Sequence, residues 1–389
     1  MEKIARDLSQ AQKRNSYLFS SRCIANYAEI VKATVQKLQE QGLKPFLFPA
    51  MGSHGSSSSE GQKKVLEHYG VTEKDMGVPI QSSLEVVQIG ETEDKVPVYI
   101  DEFASKADHI VLINRIKPHT EFEAEIESGL MKMMTIGLGK QTGTASAHQA
   151  FMRQGYYRTI QTVANTVMQS GKILFGVGIV EKGLSQTAEI KVLTPDTLEE
   201  EEKKLLKTAK KLFARLPFED VDVLIIDEMG KDISGTGFDS KVVGRIYMPL
   251  VAEEPKSPRI KRIVVCDLTD KTEGNADGVG LADFVTQRLV DKIDLNALYI
   301  NAIAGAEPEH AKIPLTLGND RDAIQAAIGS SGAISPEQLR MIRIKNTASL
   351  GVVEVSDAYQ NELSKRADLE LIAESQPMTF DADRNLTPF

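Results

Sequence analysis

The hydrophobic positions of the chain fall into short apolar runs that alternate with stretches of helical spacing. Short apolar runs between turn residues are typical of buried strands, whereas apolar positions three or four apart indicate helices. The predicted strands are 17–19, 45–49, 84–89, 109–113, 173–180, 188–193, 221–226, 262–266, 298–304 and 341–345. Strands that alternate with helices form βαβ units, so we predict an α/β fold with mainly parallel sheets.

Helical spacing also shows where the chain divides. The segments that are helical or begin a helix are 24–41, 59–69, 197–215, 281–292 and 336–339. Ser59 with Gln62, and Thr197 with Glu200, have the spacing of a capping box at the start of their helices. The helix that begins at Thr197 is strongly charged, and prolines on both sides of it indicate a boundary.

The length of 389 residues suffices for two domains of ordinary size. With the charged helix as the boundary, we predict an N-terminal α/β domain over residues 1–217 and a C-terminal α/β domain over residues 218–389. Loops of the second domain, around 235–237 and 270–277, are rich in glycine and carboxylates and would line a cleft that faces the first domain. A solvated, glycine-rich turn is the default interpretation of each loop.

Composition and charge narrow the classes of function. The chain is 41% hydrophobic and 26% charged, as in a globular protein, and its formal net charge of -9 argues against nucleic-acid binding. Cys23 and Cys266 fit no zinc or iron–sulfur ligand spacing, which favours a reducing cytoplasmic compartment. We see no signal segment and no run of about 18 apolar residues, so we expect neither export nor membrane insertion.

Three of the six histidines and one lysine occupy positions that suggest a site. The first, His54, follows the strand 45–49 in Met-Gly-Ser-His-Gly-Ser-Ser and precedes a helix. Open α/β sheets bind ligands beyond the carboxyl ends of their strands, and helix N termini attract anions. A polar turn that contains a histidine by chance is the alternative interpretation.

His119 follows the strand 109–113 and a stiff Lys-Pro dipeptide. An imidazole held in this way suits general acid–base catalysis, because histidine titrates near neutral pH. The carboxylates of Glu121, Glu123 and Glu125 come directly after it, and in an extended strand they would share one face with His119. A metal-dependent hydrolase or lyase is therefore an alternative function, and a structural loop histidine is the alternative without function.

Lys132 lies in the apolar segment Gly-Leu-Met-Lys-Met-Met, where a lysine is unusual because lysine is seldom fully buried. Loss of solvent would lower its pKa and favour a nucleophile or a covalent anchor, while a lysine that reaches solvent is an equal alternative. His148 follows the glycine-rich run 137–144, which could hold a phosphate, on a helix predicted to start near the end of that run.

Taken in order, these residues resemble the nickel-pincer lactate racemase family. The pattern is Arg22 in Phe-Ser-Ser-Arg, His54 in Gly-Ser-His, and then His119, Lys132 and His148. The interval between Lys132 and His148 also agrees with the family. The departures surround the substrate side, where Gly-Leu-Met-Lys replaces Gly-Gly-Arg-Lys, so a hydroxy acid other than lactate is open as the substrate.

The resemblance implies a racemase or epimerase of a 2-hydroxy acid, with its active site in the cleft between the two domains. Its cofactor would be a nickel-pincer nucleotide, a pyridinium mononucleotide tethered through a thioamide to Lys132. His148 would be the nickel ligand, and Ser21 and Ser53 would be further cofactor contacts.

By the same resemblance, His54 and His119 would be the acid–base pair, and Arg22 would bind the substrate carboxylate. The expected partners are a small 2-hydroxy acid and the enzymes that make the cofactor, with a homo-oligomer as a further expectation. A non-catalytic relative that only binds a ligand or cofactor is the third hypothesis.

Overall fold

The computed structural model describes residues 15–20 (backbone only), 24–52, 58–183, 186–249 and 251–389. The chain divides into two compact units. The first contains the residues up to His119 and Glu123–Phe213, and the second contains Thr120–Phe122 and Ala214–Phe389. Within these described ranges, no helix combines the length and the apolar character needed to cross a membrane.

The first unit is built on one mostly parallel sheet. Its strands are β1 (Asn15–Ser20), β2 (Lys44–Pro49), β3 (Val86–Glu91), β4 (Pro97–Asp101), β5 (His109–Arg115), β6 (Ile173–Lys182) and β7 (Gln186–Leu193). Five of them form a sheet in the order β2-β1-β5-β6-β7, and β3 and β4 form a separate antiparallel pair. Strand β1 is parallel to β2 and β5, β5 is parallel to β6, and β7 is antiparallel to β6.

Helices cover this sheet and complete its core. They are α1 (Tyr27–Glu40), α2 (Ser59–His68), α3 (Glu73–Met76), α4 (Glu102–Lys106), α5 (Leu130–Lys132), α6 (Lys140–Gln154), α7 (Tyr156–Gln169) and α8 (Leu198–Leu212). In α1 the buried Val31, Val35 and Leu38 are three or four positions apart, so they share one face. That face packs with Leu47 of β2 and Val111 of β5 in one hydrophobic cluster.

The second unit has a six-stranded sheet in the order β11-β10-β9-β8-β12-β13. The strands are β8 (Asp220–Met229), β9 (Arg259–Leu268), β10 (Phe284–Thr286), β11 (Leu315–Leu317), β12 (Met341–Ile344) and β13 (Glu354–Val355). The helices are α9 (Ser240–Val243), α10 (Gln287–Asp291), α11 (Leu295–Gly305), α12 (Asp320–Ser331) and α13 (Gln360–Leu363). The neighbouring strands in the series β11-β10-β9-β8-β12 are all parallel to each other, and the edge strand β13 is antiparallel to β12.

The predicted α/β fold with mainly parallel sheets is confirmed. The strand predicted at 298–304 is wrong, because this run forms most of helix α11. Apolar residues lie on several faces of that helix, since Leu298 is buried while Ile300 and Ile303 are 70% and 76% exposed. An apolar run without clear periodicity does not distinguish a strand from a helix, and the capping residue Asp294 is the signal that does.

Three smaller predictions also differ from the structure. The segment 281–292 contains strand β10 before its helix begins. The side chain that caps α2 is Ser58, which accepts from the N–H of Gly61, rather than Ser59. Thr197 makes no side-chain capping bond to α8. For α2 and α8, sequence spacing therefore located the helix start to within one residue without identifying the capping side chain.

Candidate active site

Three adjacent parallel strands of the first unit end at the same edge of its sheet. In the spatial order β2-β1-β5 they end at Pro49, Ser20 and Arg115, with Ser20 directly beside Pro49 in register. Ligands bind beyond such carboxyl ends in open α/β sheets. The segments that carry the predicted site residues begin at these three ends. Ser21, Arg22, Ser53 and His54 themselves lie outside the described residues, so their roles stay predictions.

A short antiparallel bridge brings His119 and Lys132 together. The N–H of Lys117 donates to the carbonyl of Ser128 at 3.0 Å, and the N–H of Ser128 donates to the carbonyl of Lys117 at 3.2 Å. The loop between them is therefore closed at its base. As a result, Nζ of Lys132 and Nε2 of His119 form a hydrogen bond. His119 is buried and Lys132 is half-buried.

The charged helix α8 supports the loop that carries His119. Nζ of Lys210 lies 2.6 Å from Oε1 of the buried Glu127, and Oε2 of Glu127 accepts from the N–H of His119 at 2.6 Å. Burial lowers the pKa of Lys210, but its contacts with Glu127 and Glu123 outweigh that effect and raise it. Lys210 therefore stays charged at neutral pH and, through Glu127, fixes the backbone at His119.

Glu202, also on α8, caps the start of the helix that carries Lys132. Its Oε2 atom accepts from the N–H groups of Leu130 and Met131 at 3.0 and 3.1 Å. Burial raises the pKa of Glu202 to about 8. A Cβ atom at Gly129 would lie 2.1 Å from Oε1 of Glu202, so the close approach requires glycine there. Glu202 thus sets the direction in which α5 presents Lys132.

The helix changes to a π-helical turn over Met133–Gly137, directly after Lys132. Such turns inside helices occur frequently at functional sites. A Cβ atom at Gly137 would lie 2.5 Å from the carbonyl oxygen of Ala50, just beyond β2. This π-helical turn therefore packs against the strand end from which the His54 segment begins.

A buried ion pair fixes the same strand end. Nζ of Lys140 lies 3.2 Å from Oδ2 of Asp101, and both side chains are fully buried. The same ammonium donates to the carbonyl of Pro49 and, at 3.1 Å, to Oε1 of Gln62, whose Nε2 donates to the carbonyl of Gly52 at 2.9 Å. Burial lowers the pKa of Lys140 and raises that of Asp101. The lysine of the glycine-rich run therefore holds protein groups at the end of β2.

A row of aromatic rings connects His148 with His119. The centroid of His148 lies 5.3 Å from that of Phe151, Phe151 stacks on Tyr156 at 4.5 Å, and Tyr156 lies 6.3 Å from His119. The predicted helix that carries His148 is confirmed as α6, where this histidine is half-buried. The described candidate residues, His119, Lys132 and His148, therefore lie in one region of the first unit.

The three glutamates that follow His119 do not share a face with it, so that prediction is wrong. Residues 118–127 form an irregular loop rather than a strand. Two of the glutamates are exposed and pair with lysines of α8, at 3.2 Å for Glu123 and 3.4 Å for Glu125. Glu121 belongs to the second unit. The carboxylates therefore diverge, because charged side chains of a loop are drawn to separate partners.

The second unit contains a buried polar cluster, of which the sequence had indicated only the loop that carries Asp277. Asp277, Glu307 and His310 each offer one ligand atom, and these atoms lie within 4.8 Å of one another. Burial, followed by repulsion from Glu121, raises the pKa of Glu307. Burial lowers the pKa of His310, but the Glu307 carboxyl outweighs this effect and raises it. Burial and the neighbouring carboxyl groups therefore favour the protonated forms of Glu307 and His310.

Two residues that position the site were missed, and one of them left a signal. Glu202 lies on the apolar face of α8, because it is three or four positions from the buried Leu198, Leu205 and Leu206. A glutamate on such a face indicates a buried partner. Lys210 left no comparable signal, since lysines on a charged helix are usually solvated.

Comparison with known proteins shows what part of this chain is similar to. Residues 19–159, which include the region of His119, Lys132 and His148, match the family model of the lactate racemase N-terminal domain. No curated protein matches the sequence.

A crystal structure of a Thermotoga maritima protein is similar in fold, with a TM-score of 0.52, 13% identity, and coverage of 90% of this chain and 97% of that chain. The lactate racemase apoprotein from Thermoanaerobacterium thermosaccharolyticum is similar with a TM-score of 0.50, 13% identity, and coverage of 90% and 88%. Residues 19–159 are therefore similar to the lactate racemase N-terminal domain, and the fold of the chain is similar to that of the lactate racemase apoprotein.

Proposed function

We propose that the chain is a racemase or epimerase of a 2-hydroxy acid. The similarity of residues 19–159 to the lactate racemase N-terminal domain supports this reaction class. The observation that carries the proposal is the hydrogen-bonded pair of Lys132 and His119 beyond the carboxyl end of β5. A primary amine beside an imidazole provides one covalent anchor and one acid–base group. The location of the active site in an interdomain cleft stays a prediction.

The described residues fit the cofactor that the family implies, a lysine-tethered nickel-pincer nucleotide. Lys132 would hold it through Nζ, and His148 would offer nickel a neutral imidazole, a ligand that suits this metal. The row of ring contacts that leads from His148 through Phe151 and Tyr156 to His119 supports the view that both histidines serve one site. Ser21 and Ser53 would be further contacts. When bound, the nucleotide supplies an electron-poor acceptor for the hydrogen at C2 of the substrate.

The residues of the chain would handle the proton and the carboxylate. His119 would take the hydroxyl proton on one side of the substrate, and His54 would do so on the other side for the opposite enantiomer. Arg22 would bind the carboxylate through two parallel hydrogen bonds and stay charged throughout. The bond from the His119 N–H to Glu127 supports this role, because it fixes the backbone that carries the imidazole.

The test is co-expression of the chain with the enzymes that make the cofactor. We expect added mass on the peptide that contains Lys132, one nickel per chain, and interconversion of the enantiomers of at least one 2-hydroxy acid from a panel. In D2O the product should keep its original hydrogen at C2, because a hydride does not exchange with solvent. Lys132→Arg is the matched control and should lack the mass and the activity.

Three outcomes would count against parts of this proposal. An unmodified Lys132 and the absence of nickel after co-expression would refute the cofactor. Deuterium at C2 of the product would refute hydride transfer. Loading with cofactor but no interconversion of any tested hydroxy acid would instead support the non-catalytic alternative.

A further inference from the structure

We propose that the second unit binds a divalent first-row transition metal ion through Asp277, Glu307 and His310. This site is separate from the nickel site of the proposed function and does not depend on it. The donor set of one imidazole nitrogen and two carboxylates suits ions such as Mn²⁺, Fe²⁺ and Zn²⁺. The three side chains are 2%, 4% and 1% exposed, respectively, so a bound ion would be largely shielded from bulk water.

The spacing of the three ligand atoms is close to that of a metal site. They lie within 4.8 Å of one another, and a metal with bonds of about 2.1 Å keeps two ligands at most about 4.2 Å apart. A small inward movement of the side chains is enough to reach that spacing. No large change of the backbone is required.

His310 is oriented as a metal-binding histidine would be. Its Nε2 atom lies 2.7 Å from the carbonyl oxygen of Ile246, which can only accept, so Nε2 carries a hydrogen. Its Nδ1 atom lies 2.8 Å from Oε2 of Glu307, yet the contact does not have the geometry of a hydrogen bond. A carbonyl that fixes one ring nitrogen while the other faces carboxylates is the usual second shell of a metal-bound imidazole.

Asp277 provides an independent indication that the cluster binds a cation. Its Oδ2 atom accepts from Nζ of Lys231 and from Nδ2 of Asn301, both at 2.8 Å. Its Oδ1 atom is buried and has no hydrogen-bond partner. A buried carboxylate oxygen without a partner is costly, and a metal ion would satisfy it.

The charge of the cluster matches a dication. Glu121 contacts Glu307, and Lys231 pairs with Asp277, so three carboxyl groups and one ammonium group lie at the cluster. In the metal-bound state, with these carboxyl groups ionised and His310 neutral, they would carry a charge of about -2, which one divalent ion would neutralise.

The backbone around Asp277 is rigid. A Cβ atom at Gly278 would lie 1.9 Å from the carbonyl oxygen of Thr236, and one at Gly237 would lie 2.6 Å from the carbonyl oxygen of Asp277. The loops that follow β8 and β9 are therefore in close backbone contact. This contact holds Asp277 in place before any ion arrives, which favours affinity.

The experiment is a titration of the chelator-treated full chain with MnCl2, followed by electron paramagnetic resonance. Because bound Mn²⁺ loses the sharp six-line spectrum of the free ion, this measures stoichiometry and affinity. The titration uses the His148→Gln variant, so that the proposed nickel ligand cannot contribute. We expect one Mn²⁺ per chain and an electron spin-echo modulation from a directly bound imidazole nitrogen, which changes frequency when histidine is labelled with ¹⁵N.

Matched variants decide the assignment. In the same background, Asp277→Asn and His310→Gln should each weaken Mn²⁺ binding at least tenfold, and His310→Gln should remove the nitrogen modulation. Asp291→Asn and His68→Gln make the same changes at exposed residues and should bind as before. Failure to bind Mn²⁺ at about 1 mM, or unchanged binding in both site variants, would overturn the proposal. If one of the two site variants misfolds, the other still decides the assignment, because each removes a different ligand.

Discussion

Nζ of Lys132 and Nε2 of His119 are hydrogen-bonded to each other, although 13 positions separate the two residues. The contact exists because the Lys117–Ser128 bridge closes the loop between them. The predicted anchor and the predicted acid–base group are therefore adjacent before any cofactor is attached. Substitutions at the two positions should nevertheless have separable effects, since one residue would hold the cofactor and the other would move a proton.

His119→Asn should separate cofactor attachment from catalysis. The amide cannot act as a base near neutral pH, so we expect kcat for hydroxy-acid racemisation to fall by about 10²- to 10⁴-fold. The added mass on Lys132 and the nickel content should remain, because neither role is assigned to His119. Steady-state kinetics with mass analysis of the same preparation measures both. Loss of the added mass in His119→Asn would mean that this histidine is needed for attachment as well.

Glu202→Gln should change how stability depends on pH. The pKa of Glu202 is raised from 4.5 to about 8, so the folded protein binds more protons than the unfolded chain between these values. The contribution of Glu202 to the free energy of unfolding therefore falls as pH rises from about 4.5 to about 8, and it is constant above about pH 8. Glutamine keeps the acceptor for Leu130 and Met131 and removes the titration.

Thermal melts from pH 5 to pH 9 measure this difference. As pH rises, the free energy of unfolding of the variant should increase relative to that of the parent protein. The increase should be at most about 5 kcal/mol, since each pKa unit corresponds to about 1.4 kcal/mol. A Glu60→Gln variant, which alters a glutamate that is exposed on α2, should run parallel to the parent. Parallel curves for Glu202→Gln as well would show that Glu202 is ionised at neutral pH in the folded protein.

Gly129→Ala should disturb the start of α5. The new Cβ atom would meet Oε1 of Glu202 at 2.1 Å, so either the helix or the carboxylate must move. We expect a loss of about 1–3 kcal/mol in the free energy of unfolding, measured by denaturant titration, and a lower kcat. Gly329→Ala is the control, because nothing lies within 4 Å of a Cβ there and alanine favours helix α12. Equal stability of the two variants would contradict the packing described at Gly129.

Lys140→Met should destabilise the first unit. It leaves the carboxylate of Asp101 buried without its cation, and breaking such a pair costs about 3–5 kcal/mol. Adding Asp101→Leu removes the uncompensated charge, so the double variant should recover part of the loss. Denaturation midpoints of the parent, both single variants and the double variant form the cycle that tests this. Additive losses would mean that the two side chains do not interact.

Only the proximity of His119 and Lys132 could be anticipated, in part, from the predicted strand ends. His119 follows a predicted strand, and Lys132 comes shortly after it in the chain. Because β1 is parallel to β2 and to β5, the segments that follow these strands begin at the same edge of the sheet. The roles of Glu202 and Lys210 could not be inferred, because a charged helix is as compatible with a solvated face as with buried ion pairs. The helix at 298–304 was missed for a related reason, since apolar character alone carries no information about backbone conformation.

The position of α8 in the chain shows which residues are needed to form the structural module around His119 and Lys132. The family match ends at residue 159, whereas Glu202 and Lys210, which support the segment from His119 to Lys132, lie 43 and 51 residues beyond it. Strand β6, the neighbour of β5, also lies beyond that limit. A fragment confined to the matched residues would contain the candidate residues His119, Lys132 and His148 but not the helix that positions the first two. A chimaera that exchanges this module between relatives should therefore be joined after α8.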